Sequence, residues 1–217
     1  MDNKIKWNQI KTVSGYGTGL PETIQRLISP IEAERKRASN GLDNVVVVQS
    51  TLYEAAYYVI EPILELLEKD YTVDRFEPLT VLAEIALGWG GKKEIILQEC
   101  GEQILLEKAC RNKLKELKPR IEKIVTCTQK EREEKDCILE TIDEFWQREL
   151  HRFAPGGYKI YDVIEVLKIL KAQGVSRHDV YQSLESELRV SKVAKQSVDW
   201  ILDIMDILNK YSDGIWQ

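Results

Sequence analysis

Two histidines, His151 and His178, are the first side chains to weigh as general acids, bases or metal ligands. Neither sits in a His-Glu-x-x-His, a Glu-x-x-His or a zinc-ligand spacing, and a solvated surface imidazole is the plain reading of both. A nucleophile and its base can still meet across space, so spacing by itself leaves an enzyme open. Cysteines stand at 100, 110, 127 and 137 with long gaps between them, the pattern of free thiols in a reducing compartment. Gly15-Tyr16-Gly17-Thr18-Gly19 places its third glycine one position too early for G-x-G-x-x-G. In Gly88-Trp89-Gly90-Gly91-Lys92-Lys93, Ala86 occupies the first glycine position of a P-loop and Lys93 replaces the Ser or Thr that would hold magnesium. Both glycine clusters are expected to be loops. The sequence therefore points to no catalytic residue, no cofactor and no metal ligand, and to a binding protein rather than an enzyme.

The elements that would position a site are read as helices. Over Thr51–Lys69 the apolar residues Leu52, Ala55, Ala56, Val59, Ile60, Ile63, Leu66 and Leu67 recur at steps of three and four, with Glu54, Tyr58, Glu61, Glu65 and Glu68 opposite. Thr51 and Glu54 have the spacing of a capping box. Further helices are predicted over Pro21–Ile28, Pro30–Leu42, Asp74–Gly88, Glu94–Leu117, Pro119–Val125, Thr128–Phe153, Tyr158–Gln173, Ser176–Leu188 and Ser191–Asn209. Gly174 is placed as a left-handed helix end, and Ser176 with Asp179 as the next helix start. Val45–Val48 is β-branched but isolated, and is not expected to form a strand. The fold class is all-α. With 217 residues, 43% hydrophobic, 31% charged and only 12 Gly and 6 Pro, the chain has a core to bury and too few turn residues for a β-sandwich.

Leu20-Pro21 and Glu61-Pro62 each lead into Ile and Leu at helical spacing, with the prolines 41 residues apart, the period of stacked helical pairs. Lys118-Pro119 is a looser third instance. This predicts a HEAT-like α-α superhelix over 1–126, a long connecting helix and linker over 127–155 broken at Arg152–Tyr158, and a three-helix module over 156–217. No apolar leader opens Met1–Lys11 and no apolar run approaches a membrane span, so the expectation is a cytoplasmic chain that does not touch a membrane.

Charge is uneven. The net charge is −5 overall, but residues 41–90 carry −7 while 1–40 and 91–135 carry +3 each. The acidic stretch also holds Tyr53, Tyr57, Tyr58, Tyr71 and Trp89. Carboxylates beside aromatic rings can steer and then anchor a basic partner, and Tyr53, Glu54, Tyr57, Glu61, Glu65 and Trp89 are the candidate contacts. A solvated helix face with tyrosines at the core edge is the alternative reading. Both signs alternate over Lys113–Lys123 and Gln129–Asp136, which favours self-paired surface helices and no nucleic-acid footprint.

Ser14-Gly15-Tyr16-Gly17, Gln49-Ser50-Thr51-Leu52-Tyr53-Glu54-Ala55 and Glu61-Pro62-Ile63-Leu64-Glu65-Leu66-Leu67 resemble, in that order, the motifs of small bacterial HEAT-like repeat proteins. Many of these are immunity proteins encoded beside polymorphic or contact-dependent toxins. The likeness covers residues 7–126 and departs at the usual His-Gln-Gly-Thr, where this chain has Val48-Gln49-Ser50-Thr51. A weaker likeness to short helical modules that accompany such proteins runs through Gly174-Val175-Ser176, Val180-Tyr181, Leu202–Asp206 and Gly214-Ile215-Trp216. The resemblance implies a protein that neutralises a cognate toxin by stoichiometric binding, with a basic, nuclease-like toxin suited to an acidic surface. The alternative is a helical scaffold or adaptor that binds a host protein or peptide. Neither implies an oligomeric state.

Overall fold

The computed structural model describes residues 5–69, 73–90, 95–97, 103–151, 153, 158–172, 174–193 and 198–216. The chain divides into two compact units, Met1–Asp143 and Glu144–Gln217. It is all-α in class, with a few very short strands.

The first unit is organised around the amphipathic stretch singled out by its period. All eight apolar residues from Leu52 to Leu67 named above are buried. Burial of each large aliphatic side chain contributes about 1.5–3 kcal/mol. The helix itself is Ala55–Glu68 (α3) and starts later than expected. Thr51–Leu52 is instead a strand (β4), paired antiparallel with Val47–Val48 (β3) and parallel with Trp89–Gly90 (β5). The expected capping box does not form, because Glu54 turns away and accepts a hydrogen bond from the Lys11 backbone N–H at 3.0 Å. Val47–Val48 is thus a strand after all. Its partner is supplied by a two-residue turn at Gln49 and Ser50, both with positive φ (50° and 62°), as a type I′ hairpin requires.

Around α3 the helices fall into two rows. Leu20–Arg26 (α1), α3 and Leu106–Glu122 (α5) pack successively in one row. Glu32–Val46 (α2), Phe76–Leu87 (α4) and Gln129–Asp143 (α6) pack successively in the other. The pairs α1–α2, α3–α4 and α5–α6 bridge the rows. Each helix is too narrow to bury its apolar stripe alone, and stacking supplies the missing cover. The three prolines of the suspected repeat all lie in one row. They occupy different turns, however: the first of α1, the middle of α3 and the last of α5.

Three expectations are corrected. Residues 94–105 are not helical where described: Ile95–Leu97 (β6) pairs antiparallel with Gln103–Leu105 (β7), and α5 begins only at Leu106. The aliphatic run Ile95-Ile96-Leu97, with two β-branched isoleucines, favours an extended backbone over a helix interrupted by Gly101. Helix α5 then continues through Pro119, so no separate element starts there. The helix predicted over Thr128–Phe153 is two, α6 and Phe145–His151 (α7), and the unit boundary falls between them at Asp143/Glu144. The stretch 127–155 therefore gives one helix to each unit. Most of the expected break at Arg152–Tyr158 lies outside the described residues. A further hairpin, Lys11–Thr12 (β1) with Gly15–Tyr16 (β2), precedes α1.

A capping box does form, at Thr128. Its Oγ1 accepts from the Glu131 N–H at 3.2 Å, and Glu131 Oε2 accepts from the N–H groups of Thr128 (3.2 Å) and Cys127 (2.5 Å). Glu131 Oε1 takes a further bond from the Arg75 N–H at 2.9 Å. Glu131 is only 1% exposed. Burial alone would raise its carboxyl above the usual range, but the three backbone donors hold it below.

In the second unit, Ile160–Ala172 (α8) and Arg177–Val193 (α9) both pack against Asp199–Trp216 (α10), and α7 packs against α8. Helix α9 runs past Ser191, so the predicted last helix starts eight residues later than expected. The predicted punctuation holds at Gly174, which adopts φ 84° while Val175 N–H reaches back to the Leu170 carbonyl at 3.0 Å. Ser176 and Asp179 exchange the hydrogen bonds of a cap (3.0 and 3.1 Å). Leu167, Leu170, Val180, Ile201, Ile204 and Leu208 form the buried centre.

Replacing Glu131 by Ala should leave three backbone donors without their acceptor and lower the unfolding free energy of the chain by about 3 kcal/mol, measured in urea. Ser50→Gly should raise it by about 0.5 kcal/mol, because relief of the left-handed conformation exceeds the added flexibility of the unfolded chain.

Candidate functional site

The residues proposed as partner contacts lie along α3 and at the sheet that leads into it. Tyr53 is half-buried and its N–H is held by the Val46 carbonyl at 3.0 Å, which fixes the approach to α3. Tyr57 and Tyr58 meet edge to face, ring centroids 5.3 Å apart. Burial and the nearby Glu54 carboxylate raise the Tyr58 hydroxyl above its ordinary value.

The expected acidic ridge exists but is already answered from α5. Lys113 Nζ lies 3.6 Å from Glu61 Oε2 and 4.5 Å from the centre of the Tyr57 ring. Arg120 Nη1 lies 3.5 Å from Glu61 Oε1, and its Nε and Nη2 grip both oxygens of Glu68 at 2.7 and 2.6 Å. The hydrogen bond to Arg120 holds the Glu68 carboxyl low and the reciprocal bond raises Arg120. Burial lowers the Lys113 ammonium, against the opposing pull of Glu61. The ridge is a seam that fastens one helix of the row to the next. Cations of α5 that alternation assigned to pairing within their own helix reach across to α3 instead. Cys110, on the same stretch of α5, is buried, and burial pushes its thiol up to about 12.

Trp89 is different: it is 55% exposed, on the edge strand β5. Its N–H bonds the Ser50 carbonyl at 2.8 Å and it stands opposite Thr51 in the register. Gly88 makes this possible, because a Cβ there would come within 2.5 Å of the buried Leu52 side chain. Leu87, one residue further back, is 50% exposed. The hairpin β1–β2 is tied to the same end of the unit, by Lys11 to Glu54 and by Val13 N–H to the Val45 carbonyl at 3.5 Å. Tyr16 and Val13 are exposed there as well. The structure thus ties the β1–β2 hairpin, which contains Ser14–Gly17, to Glu54 and Val45, residues far apart from it in sequence.

The sequence reading missed three carboxyl groups beside this end. Asp43 on α2 and Glu84 on α4 share a hydrogen bond. Burial, Asp43 and then the charge of Glu134 on α6 push the Glu84 carboxyl up to about 7. Burial and Glu133 likewise raise Glu134, while a hydrogen bond from Thr80 opposes them. Among the described residues no Lys or Arg forms an ion pair with these three. The signal was present in part: Asp43 and Glu84 both belong to the acidic stretch 41–90, and Glu84 precedes Leu87 by three residues, on one helical face.

His178 is exposed at the start of α9, and the side chain of His151 lies outside the described residues, as do Tyr71, Cys100 and residues 91–93 of the second glycine cluster. Among the described residues no group of three or more His, Cys, Asp or Glu side chains could hold a metal ion, and no helix is long and apolar enough to cross a membrane.

Because the Glu84 carboxyl titrates higher in the folded chain than in the unfolded one, the folded state holds the extra proton between about pH 4.5 and 7 and loses stability as pH rises through that window. Relative to Glu84→Gln, the unmodified chain should lose about 1–2 kcal/mol between pH 5 and 8, after allowance for solvent screening, in paired denaturant titrations.

Comparison of the chain with protein-family models, with curated proteins and with solved structures finds no match.

Proposed function

We propose that this chain is an immunity-type protein: a HEAT-like stack of helical hairpins, acting in the cytoplasm, that neutralises a cognate protein toxin by occupying it, with no chemistry of its own. The observation that carries the reading is the end of the first unit around β4. There the hairpin that contains Ser14–Gly17 is tied through the Lys11 N–H to Glu54 of Gln49–Ala55, with Tyr16 and Trp89 exposed. An exposed aromatic surface on a backbone already fixed by strand pairing binds with little ordering cost, as a stoichiometric inhibitor must. The two-row packing of α1 to α6 is the arrangement expected of stacked helical pairs.

The seam between α3 and α5 changes how the reading is tested. Reversal of Glu61 and Glu65 to Lys, the direct probe of an acidic ridge, would set like charges against Lys113 and Arg120 and loosen the two helices. A loss of affinity in that variant would report on folding. The informative experiment is co-expression of the chain with the product of the adjacent gene, which this reading requires to be a toxin. Growth should be rescued and a one-to-one complex should be recovered by gel filtration. Failure to rescue growth together with failure to form the complex overturns the reading.

A further inference from the structure

The immunity-type reading gives a partner but not the chemistry by which it is gripped. We infer that the face made by Leu87, Trp89, Asp43 and Glu84 docks a partner loop carrying one Arg or Lys flanked by apolar side chains. The inference rests on the reading of the chain as a protein binder, and not on the partner being a toxin.

Continuity of the face follows from the backbone. Helix α2 ends at Val46 and runs straight into β3, α4 ends at Leu87 and runs into β5, and β4 joins the two strands. Both carboxyl-terminal helix ends and the sheet therefore lie at one end of the unit. Glu84 and Leu87 are one turn apart on α4, and Asp43 reaches Glu84 from α2. Two features of this face recognise a cation by different physics. The exposed indole of Trp89 offers a ring face, the strongest of the aromatic cation sites. The Asp43–Glu84 pair offers oxygens that no Lys or Arg among the described residues engages. Glu134, with Glu133 beyond it, adds negative charge from α6. Half-exposed Leu87 supplies the apolar contact, so a cationic side chain between aliphatic neighbours matches the face in charge and in character.

The same surroundings set a direction with pH. While the carboxyl pair keeps its shared proton, the face carries one charge fewer. A docking cation replaces that proton, so binding tightens as pH rises from 6 to 8, by up to about tenfold.

The test uses the full chain, isotopically labelled, titrated with acetyl-Leu-Arg-Leu-amide and with its Glu counterpart, acetyl-Leu-Glu-Leu-amide, and followed by the indole N–H resonance of Trp89. The arginine peptide should shift that resonance with a Kd of about 1 mM, and the glutamate peptide should bind at least about tenfold more weakly. Trp89→Ala should weaken the arginine peptide about fivefold, read from the Leu87 and Gly88 amides. The double substitution Asp43→Asn and Glu84→Gln should abolish both the discrimination and the pH dependence without loss of helix content. An unmoved Trp89 resonance, equal response to the two peptides, or undiminished discrimination in the double variant overturns the proposal. A failed co-expression rescue leaves these peptide shifts in place, whereas rescue by Trp89→Ala at full strength, with no peptide shift in the parent, removes this face and keeps the immunity reading.

Discussion

The carboxylate of Glu131 accepts three hydrogen bonds while almost wholly removed from water, all from backbone N–H groups of two different loops. A buried charge of this kind is tolerable only when its lone pairs are filled. Here the donors are the start of α4, through Arg75, and the turn that opens α6, through Cys127 and Thr128. Arg75 extends the junction: its guanidinium donates to the Lys69 carbonyl at 3.2 Å and to the Val125 carbonyl. One side chain thereby sets the relation between the end of α3, the entry to α4 and the loop from α5 to α6. This junction adds directional hydrogen bonds to the apolar contacts that hold the two rows of helices together.

Charge is divided between the rows by function. In the row of α1, α3 and α5, carboxylates and cations close on one another across the α3–α5 boundary and serve cohesion. In the row of α2, α4 and α6, Asp43, Glu84 and Glu134 gather without an ion-pair partner among the described residues and lean on protonation and hydrogen bonds. A chain whose acidic surplus is concentrated in residues 41–90 thus uses one part of it as a fastener and keeps another part facing outward. The aromatic and aliphatic groups at the end of the unit accompany the second part.

Much of the fold was legible in the pattern of residues, and the gaps have identifiable causes. The period of α3 located a helix whose apolar side chains are all buried, and Gly174 with Ser176 and Asp179 marked a helix end and the next start where the backbone places them. Thr51-x-x-Glu54 and Thr128-x-x-Glu131 have identical spacing, yet only the second forms a cap, because strand pairing claims Thr51 and the Lys11 N–H claims Glu54. The β3–β4 hairpin was hidden because its turn is Gln-Ser, not Asn-Gly, and the strand added to it begins only at Trp89, far along the chain from its partner Thr51. Within the candidate site, acidity and aromatic content singled out the segment 41–90, where the structure leaves Trp89 exposed and pairs Glu61 and Glu68 with α5. Which carboxylates were spent on α5 and which were not depends on the packing of rows, a relation that no local window of sequence contains.

The contact between Gly88 and Leu52 separates two jobs that neighbouring residues often share. A methyl group at 88 would collide with a fully enclosed side chain, so the trace of the main chain under Trp89 is pinned from beneath. The indole above it is 55% exposed, while the strand is held through its main chain. Exchange of the residue at 89 would consequently change the chemistry displayed at this edge while leaving the main chain that carries it where it is.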